Sequence, residues 1–273
     1  MKKILVLAIF LLSPALVLAT QWNSPELCPG VNDSQDNFPM SILTNGTIYE
    51  VRYGDGLYQH PYEGSHSWDN GTKCNTPTNV IAMTINSSGN TAIVKNSYDI
   101  CWATSTDGLN WTWGEILADW NRNPNYAISI SCAWESAEKW LYVTYDDGRV
   151  YGDSYPYTSP TQVDLDPAGD HKIFYAGVAL EGDYMVVSDY NSGQLDLYEL
   201  TGSGNSWSGR TEITEVNNGD DEVFPVVGVL DGKNVLLFSR FGDQSYDVWY
   251  SIGDNNNLSI QPTSLGNIKA MYH

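Results

Sequence analysis

The feature that most constrains this chain is an internal repeat that relates residues near its start to residues near its end. Residues 36–43 read DNFPMSIL, and residues 222–229 read EVFPVVGV. In both places an Asx-Gly pair follows, and then a second β-branched run that ends in Arg-aromatic-Gly-Asp. Asn-Gly and Asp-Gly are strong hairpin turns because both residues tolerate positive φ. The two segments therefore predict equivalent hairpins.

The same pattern of strand, turn and strand recurs between these hairpins, and no segment has a convincing helical period. Five units begin near residues 36, 77, 124, 170 and 220, so the period is roughly 45 residues, the length of a four-stranded propeller blade. One blade cannot bury both of its faces, whereas five blades packed in a ring can. We predict an all-β fold, a five-bladed β-propeller of four-stranded antiparallel blades, with six blades as the alternative.

Two segments compete to close the predicted ring. Residues 20–35 could add a strand to the last blade, or residues 267–273 could pair with the first blade. The repeat does not discriminate between these alternatives, because neither segment is part of a complete hairpin unit.

The first nineteen residues predict a secretory signal peptide. Lys2 and Lys3 precede an apolar run, and residues 17–19 have the character of a cleavage site. A membrane anchor is disfavoured because Ser13 and Pro14 interrupt the run, which is short for a span of about 20 residues. Residues 20–273 are then expected to form a single propeller domain, secreted or held at the cell surface, with no membrane span.

The net charge of −20, from 33 acidic and 13 basic residues, narrows the choice of partners. Such a surface repels nucleic acid and anionic membranes. We predict no cofactor, although acidic loops of this kind could hold calcium. His60 and His66 share one loop, but their spacing matches no standard metal site, so none is predicted.

Cysteines and glycosylation sequons also bear on the expected extracellular location. An even number of cysteines in an exported chain predicts two disulfides, with three pairings open, and the alternative is four free buried thiols. The four cysteines are Cys28, Cys74, Cys101 and Cys132. Six N-x-S/T sequons are candidate glycosylation sites. They begin at Asn32, Asn45, Asn70, Asn86, Asn110 and Asn257.

One tight turn carries a family resemblance. Residues 105–111 read STDGLNW, and Ser105, Asp107, Gly108 and Trp111 resemble the Asp-box turn, or BNR repeat, of sialidase-like β-propellers. The resemblance implies a fastener between two outer strands of a blade, away from the central pocket. The Asp carboxylate can accept N–H groups of its own turn, and the Trp ring can cover the hairpin. Residues 201–207 repeat the turn without the aspartate.

A propeller of this type is expected to bind its ligand at the channel end where the innermost strands begin. Carboxylates, guanidinium groups and aromatic rings at that end suit a carbohydrate. No catalytic residue is assigned, but five charged groups could take such a role: Asp36, Arg52, Asp221, Glu222 and Arg240. The candidate ligand-binding residues are Tyr53, Asp55, Tyr145, Asp146, Asp189, Tyr190 and Asp243.

The sequence departs from the sialidase pattern at one informative place. The family's first catalytic arginine lies two residues before a proline, where this chain has Asn37 and, in the repeat, Val223. We therefore predict a propeller that binds a glycan or an extracellular protein. The alternatives are a glycoside hydrolase of sialidase-like or five-bladed arabinanase-like type, and a self-associating subunit of an extracellular assembly. Whether the protein is an enzyme stays open at this point.

Overall fold

The computed structural model describes residues 20–97, 99–120, 126–165, 172–191, 193–242 and 245–254. These residues form five four-stranded antiparallel sheets and one small two-stranded hairpin. The innermost strands of the five sheets contact one another in a closed ring. The prediction of a five-bladed β-propeller is confirmed, and the six-bladed alternative is wrong.

Each blade runs from an inner strand at the axis to an outer strand at the rim, and its strands are given in that order. Blade 1 contains β2 (Asn37–Ile42), β3 (Ile48–Arg52), β4 (Gly56–His60) and β7 (Thr72–Lys73). Blade 2 contains β8 (Val80–Ile85), β9 (Thr91–Asn96), β10 (Ile100–Ser105) and β11 (Trp111–Ile116). Blade 3 contains β12 (Ala127–Cys132), β13 (Leu141–Tyr145), β14 (Val150–Asp153) and β15 (Thr161–Val163).

The last two blades have longer strands. Blade 4 contains β16 (Lys172–Val178), β17 (Tyr184–Asn191), β18 (Gln194–Ser203) and β19 (Ser206–Glu212). Blade 5 contains β20 (Glu222–Leu230), β21 (Lys233–Phe241), β22 (Tyr246–Gly253) and β1 (Glu26–Leu27). The two-stranded hairpin pairs β5 (Tyr62–Gly64) with β6 (Ser67–Trp68), and a 3-10 turn covers Ala118–Trp120.

The start of the described chain closes the ring. Strand β1 pairs antiparallel with β22, Glu26 opposite Tyr250 and Leu27 opposite Trp249. Trp22 forms a further bridge to Gly253. The first closure alternative is therefore the one found, and residues 267–273 lie outside the described residues.

Serine hydroxyls fasten one blade to the next near the axis. Ser188 of blade 4 donates to the carbonyl of Glu222 at 2.6 Å, and Ser239 of blade 5 donates to the carbonyl of Asn37 at 2.6 Å. Both serines are buried, so these bonds satisfy strand-end carbonyls that water does not reach. The same type of bond therefore closes the ring between blades 5 and 1 and joins blades 4 and 5.

The axis of the ring is packed rather than open. The inner strands line a cavity of about 40 Å³, which has room for no more than a few water molecules. Gly177 of blade 4 lies so close to blade 5 that a Cβ atom there would be 2.1 Å from the carbonyl oxygen of Pro225. A ligand is therefore expected at a channel mouth or on a blade surface.

The prediction of two disulfides is wrong, because all four cysteines are free and buried: Cys28, Cys74, Cys101 and Cys132. The physical reason is that each belongs to a different blade or follows its last strand. Their sulfurs have other partners; Cys74 donates to the carbonyl of Gly108 at 3.7 Å, and Cys132 contacts the hydroxyl of Tyr157 at 3.6 Å. Burial raises the pKa of Cys74 and of Cys132 to about 12.

The sequons differ in how their asparagines are used. Asn32 donates to the carbonyls of Cys28 and Val248 and so supports the closing strand, whereas Asn45 and Asn70 are exposed. The side-chain amides of Asn86 and Asn110 donate to Asn90 and Asp107, respectively. Glycosylation stays a prediction.

Besides the closure by residues 267–273, three predictions concern residues outside the described part of the chain: the signal peptide at residues 1–19, Asp243 and Asn257. In the described part, no helix is both long enough and apolar enough to span a bilayer.

Candidate functional site

The predicted ligand end of the channel can be located from strand register. The inner strands begin at this end and the second strands finish there, as the pairs Asn37–Arg52 and Glu222–Arg240 show. We call this end of the ring the entrance face. In every blade, the pairing of the inner strand with the second strand has a register irregularity close to this face. Such irregularities are typical of strands that redirect side chains towards a site.

The structure resolves which acidic residue of blade 5 corresponds to Asp36. The backbone N–H of Tyr53 donates to the Asp36 carbonyl at 2.9 Å, and that of Phe241 donates to the Asp221 carbonyl at 3.3 Å. Asp36 and Asp221 are therefore equivalent, and both are partly exposed. Glu222 is fully buried in the strand.

Four large aromatic side chains are exposed at the entrance face. The exposed fractions are 74% for Tyr53, 68% for Tyr126, 48% for Tyr190 and 45% for Phe241. They belong to blades 1, 3, 4 and 5, and each lies at the end of a second strand or just before an inner strand. Rings exposed to this degree are available for stacking rather than part of the core, and we refer to these four as the platform.

A second aromatic group lies at the mouth of the channel itself. The ring of Phe224 lies 4.1 Å from Tyr175 and 4.7 Å from Phe38, and Phe38 lies 5.5 Å from Tyr246. Tyr246 in turn lies 5.1 Å from Phe241, so the cluster joins the exposed platform. These partly buried rings from three blades form a continuous aromatic floor.

Two carboxylates stand beside this floor. Asp36 accepts the backbone N–H of Tyr246 at 2.9 Å, and Asp221 accepts that of Leu195 at 2.9 Å. Burial, and then the negative charges of Asp221 and Asp36, raise the pKa of Tyr246. Burial and neighbouring groups raise the pKa of Tyr175 to about 12. Both phenols therefore stay protonated at neutral pH and can donate hydrogen bonds.

The two candidate arginines stabilise the blades and their loops and do not present free guanidinium groups at the entrance face. Arg240 donates to Glu222 at 2.9 Å and also to the carbonyl of Val216 in the loop between blades 4 and 5. Arg52 donates to Glu50 at 2.5 Å and forms an ion pair with Asp33 at 2.9 Å. Each guanidinium is thus held by a fully buried carboxylate on or near its own strand.

The remaining candidate ligand residues are divided between surface and core. Asp146 is exposed beside Tyr126, whose N–H it accepts at 3.2 Å. Asp55 is partly exposed and bound by Tyr58 and Lys73. The other two are core residues: Tyr145 donates to the carbonyl of Trp120 at 2.6 Å, and Asp189 pairs with Arg210.

Several entrance residues were missed by sequence reasoning. Tyr126 and Phe241 adjoin the predicted blade start and the Arg-aromatic-Gly-Asp run, so their positions were available from the repeat. Phe38 and Phe224 are the phenylalanines of the repeat itself. Glu50, the partner of Arg52, carried no signal because it alternates with apolar residues in a strand.

The turn at residues 105–111 is a fastener, as its resemblance implies. It joins β10 and β11, the outer strands of blade 2. Asp107 accepts the N–H groups of Leu109 and Asn110 at 2.9 and 2.8 Å, which lowers the pKa of the Asp107 carboxyl. Ser105 accepts the N–H of Gly108 at 2.9 Å, and the indole of Trp111 donates to the Gly108 carbonyl at 2.9 Å.

The turn also ties its blade to the preceding blade. The hydroxyl of Tyr49 in blade 1 donates to the Gly108 carbonyl at 3.1 Å. Gly108 has φ +73°, and a Cβ atom there would lie 2.4 Å from that hydroxyl, so only glycine fits. Trp207 and Tyr142 repeat this arrangement on Gly204, between blades 3 and 4, with bonds of 2.8 and 3.0 Å.

No cluster of three or more His, Cys, Asp or Glu side chains that could hold a metal ion occurs among the described residues. Calcium binding stays a prediction.

The comparisons with known proteins show a shared fold. No family model matches this sequence, and no curated protein matches it. A GH62 hydrolase solved in complex with xylotriose is 12% identical with a TM-score of 0.57, over 85% of this chain and 96% of that one. The xyloglucan PUL protein GH43B of Bacteroides ovatus is 13% identical with a TM-score of 0.53, over 84% of this chain and 53% of that one. At these identities the likeness establishes the fold, which this chain shares with glycoside hydrolases.

Proposed function

We propose that this protein is a secreted carbohydrate-binding β-propeller that holds a neutral glycan on its entrance face. The observation that carries the proposal is the set of exposed rings around the aromatic floor, with two aspartates beside it. Tyr53, Tyr190 and Phe241 present flat apolar faces, and Asp36 and Asp221 present acceptors.

This combination matches the surface of a sugar. A pyranose or furanose ring has an apolar face of C–H groups that packs on an aromatic ring, and an edge of hydroxyls that donate to carboxylates. Binding sites commonly combine apolar walls with a few well-placed polar groups. The chain also shares its fold with two glycoside hydrolases, which supports the proposal by analogy of fold alone.

The charge of the face favours neutral over acidic sugars. The chain carries a net charge of −20, and Asp36, Asp146 and Asp221 are all at this end. Arg52 and Arg240, which could neutralise a sugar carboxylate, are already engaged by Glu50 and Glu222. Sialic-acid binding therefore fits this chain poorly, although its resemblance to sialidase-like propellers stays a prediction.

The proposal is tested by titrating residues 20–273 with neutral oligosaccharides, including xylotriose, in a calorimeter. We expect Tyr53→Ala and Tyr190→Ala to weaken binding at least about tenfold each, or about 1.4 kcal/mol, because each removes a stacking surface. Ile116→Ala is the matched control, since Ile116 is 50% exposed on the outer strand of blade 2. Unchanged affinity in both tyrosine variants, or equal loss in the control, would contradict the proposal.

A glycoside hydrolase is the second candidate, and one observation favours it. Asp36 accepts the backbone N–H of Tyr246 at 2.9 Å, and the charges of Asp221 and Asp36 both raise the pKa of Tyr246, so this phenol has two carboxylates in its neighbourhood. Hydrolysis of a glycoside requires two carboxyl groups about 5 to 10 Å apart, or a tyrosine nucleophile with a carboxylate. Turnover of fluorogenic arabinosides, xylosides or sialosides that disappears in Asp36→Asn would replace the binding proposal with this one. A protein partner and a self-associating subunit stay predictions.

A further inference from the structure

The opposite face of the ring carries an open groove of about 900 Å³ between blades 2 and 3. The hairpin loops that follow β8 and β12 form its two edges, and three aromatic side chains, Trp102, Trp134 and Tyr155, lie along it. It is separate from the entrance face, because the inner strands end here and begin there. A cavity of this size is within the range of small-ligand sites.

The aromatic wall of the groove is held in place before any ligand binds. The ring of Trp102 lies 6.1 Å from Trp134 and 6.4 Å from Tyr155. The indole N–H of Trp134 donates to the Thr84 hydroxyl at 3.0 Å, which fixes this ring to blade 2. Tyr155 is nevertheless 61% exposed, so its ring is available to a ligand.

Most of the polar side chains that line the groove belong to serines, a threonine and two glutamates. The Ser87 hydroxyl donates to the Glu135 carboxylate and so bridges the two hairpins. The backbone N–H of Tyr155 donates to the Glu138 carbonyl at 3.0 Å, which joins the aromatic wall to the blade 3 hairpin. Lys139 is the single cationic side chain among the residues that line the groove.

We propose that this groove is a second ligand site and that it binds a short neutral oligosaccharide. Fixed rings with an exposed face suit the C–H faces of sugars, and carboxylates and serine hydroxyls suit their hydroxyl edges. Two glutamates against one lysine disfavour acidic sugars and nucleotides. The site extends the proposed function, since a molecule with sites on two faces can hold two glycan chains at once.

The test is calorimetric titration of residues 20–273 with xylotriose, cellotriose and chitotriose. We expect Tyr155→Ala and Trp102→Ala to weaken one class of sites at least about tenfold, while Tyr53→Ala leaves that class unchanged. Trp113→Ala is the matched control, because Trp113 lies on the outer strand of the same blade and outside the groove. If Trp102→Ala fails to fold, Tyr155→Ala still tests the groove proposal, because the Tyr155 side chain is exposed.

The outcomes separate the groove from the entrance face. If only the entrance variants lose binding, and they lose all of it, the groove proposal is overturned and the proposed binding function at the entrance face stands. Loss in the groove variants alone would support the groove and overturn the entrance site. No binding of any of the three sugars to the unaltered chain would overturn the groove proposal.

An independent observation concerns Thr20, the first described residue. Its backbone nitrogen lies 3.2 and 3.3 Å from the two carboxylate oxygens of Glu199 in blade 4. Both residues are buried, and the hydroxyl of Tyr184 donates to the same carboxylate at 2.6 Å. No lysine or arginine of the described residues forms an ion pair with Glu199. A buried carboxylate without a cation is costly.

We infer that peptide cleavage between Ala19 and Thr20 supplies that cation. In the reaction, water splits the amide, leaving a carboxylate on Ala19 and an ammonium group on Thr20. The new charge is formed at the nitrogen that already faces Glu199, so removal of the leader replaces a hydrogen bond from a neutral amide by a buried ion pair. Processing and stability of the folded propeller are thus coupled.

Two forms of the chain test this inference. One begins with a free Thr20, released by a protease that leaves no extra residue, and the other carries Gly-Ser ahead of Thr20. We expect the free form to be more stable in urea, with an unfolding constant at least about tenfold smaller, and Glu199→Gln to abolish the difference. The advantage should fall as the pH rises past about 8, where an unpaired α-amino group loses its proton.

The inference fails if both forms unfold at the same urea concentration. It also fails if the difference persists in Glu199→Gln, because the extension would then act by steric hindrance. Mass spectrometry of the exported protein provides a separate check, since a mature chain that begins anywhere other than Thr20 contradicts the inferred cleavage.

Discussion

Trp22→Ala is expected to lower the free energy of unfolding by about 3 to 5 kcal/mol, the usual range for a buried tryptophan. The indole is 4% exposed and packs in the same buried cluster as Tyr184 and Leu236. It belongs to the segment that closes the ring, where Asn23 donates to Ile252 at 2.9 Å. The loss therefore combines a large cavity with a weaker joint between the two ends of the propeller.

Deletion of residues 20–27 should have a still larger effect, because it also exposes the edge of β22. Urea denaturation followed by tryptophan fluorescence measures both changes. Leu27→Ala is the control, since Leu27 in the same segment is 46% exposed and its truncation should have little effect. If Trp22→Ala unfolds at the same urea concentration as the unaltered chain, the segment does not fasten the ring.

Arg240→Ala is the second substitution with a large expected effect, about 3 to 5 kcal/mol of destabilisation. It removes the guanidinium that lies 2.9 Å from Glu222 and leaves a fully buried carboxylate without its cation. It also removes a donor to the Val216 carbonyl and the contact of the guanidinium with the Trp249 ring, 4.8 Å away. Replacing both partners by leucine should restore much of the loss, because no charge is then buried.

The pH dependence identifies the cause of that loss. Burial raises the pKa of Glu222 although Arg240 opposes the shift, and without Arg240 the pKa should rise further. Glu222 has a pKa of about 8 in the unaltered chain, so the deficit of Arg240→Ala should be largest well above that pH and shrink as the pH falls to about 8. Below that pH Glu222 is protonated in both chains, and the deficit should change little.

Arg149→Ala is the control for charge removal, since its guanidinium is 58% exposed and 3.8 Å from Asp147. Chemical denaturation at several pH values compares the variants. A deficit that does not change with pH would mean that lost packing, and not an unpaired Glu222, destabilises Arg240→Ala.

The fold could be predicted because its signals are local. Asn45-Gly46 and Asp231-Gly232 mark tight hairpins, and their recurrence with similar strands is sufficient to indicate blades. The fastening turn could also be predicted, since Asp107 binds backbone N–H groups only two and three residues away. Interactions between residues this close in sequence can be recognised without the structure.

The site was harder to predict because it depends on single-residue register. Phe224 has φ +52° and lies within an irregularity of the β20–β21 pairing, so matching its Phe-Pro with that of blade 1 placed Glu222 where Asp221 belongs. Tyr145 and Asp146 are neighbours, yet the first is the last residue of the fully buried strand β13 and the second is exposed in the turn that follows. Ion pairs between strands of one blade that are not neighbours, such as Asp189–Arg210 of β17 and β19, have no spacing rule at all.

The four buried thiols can report how the propeller opens. The cysteines lie in or beside four of the five blades, and burial keeps those of blades 1 and 3 protonated at neutral pH. An alkylating reagent reaches a thiol of this kind only when the surrounding blade opens. The order in which the four sites are labelled therefore shows whether the ring opens at one joint or separates as a unit, with no probe added to the chain.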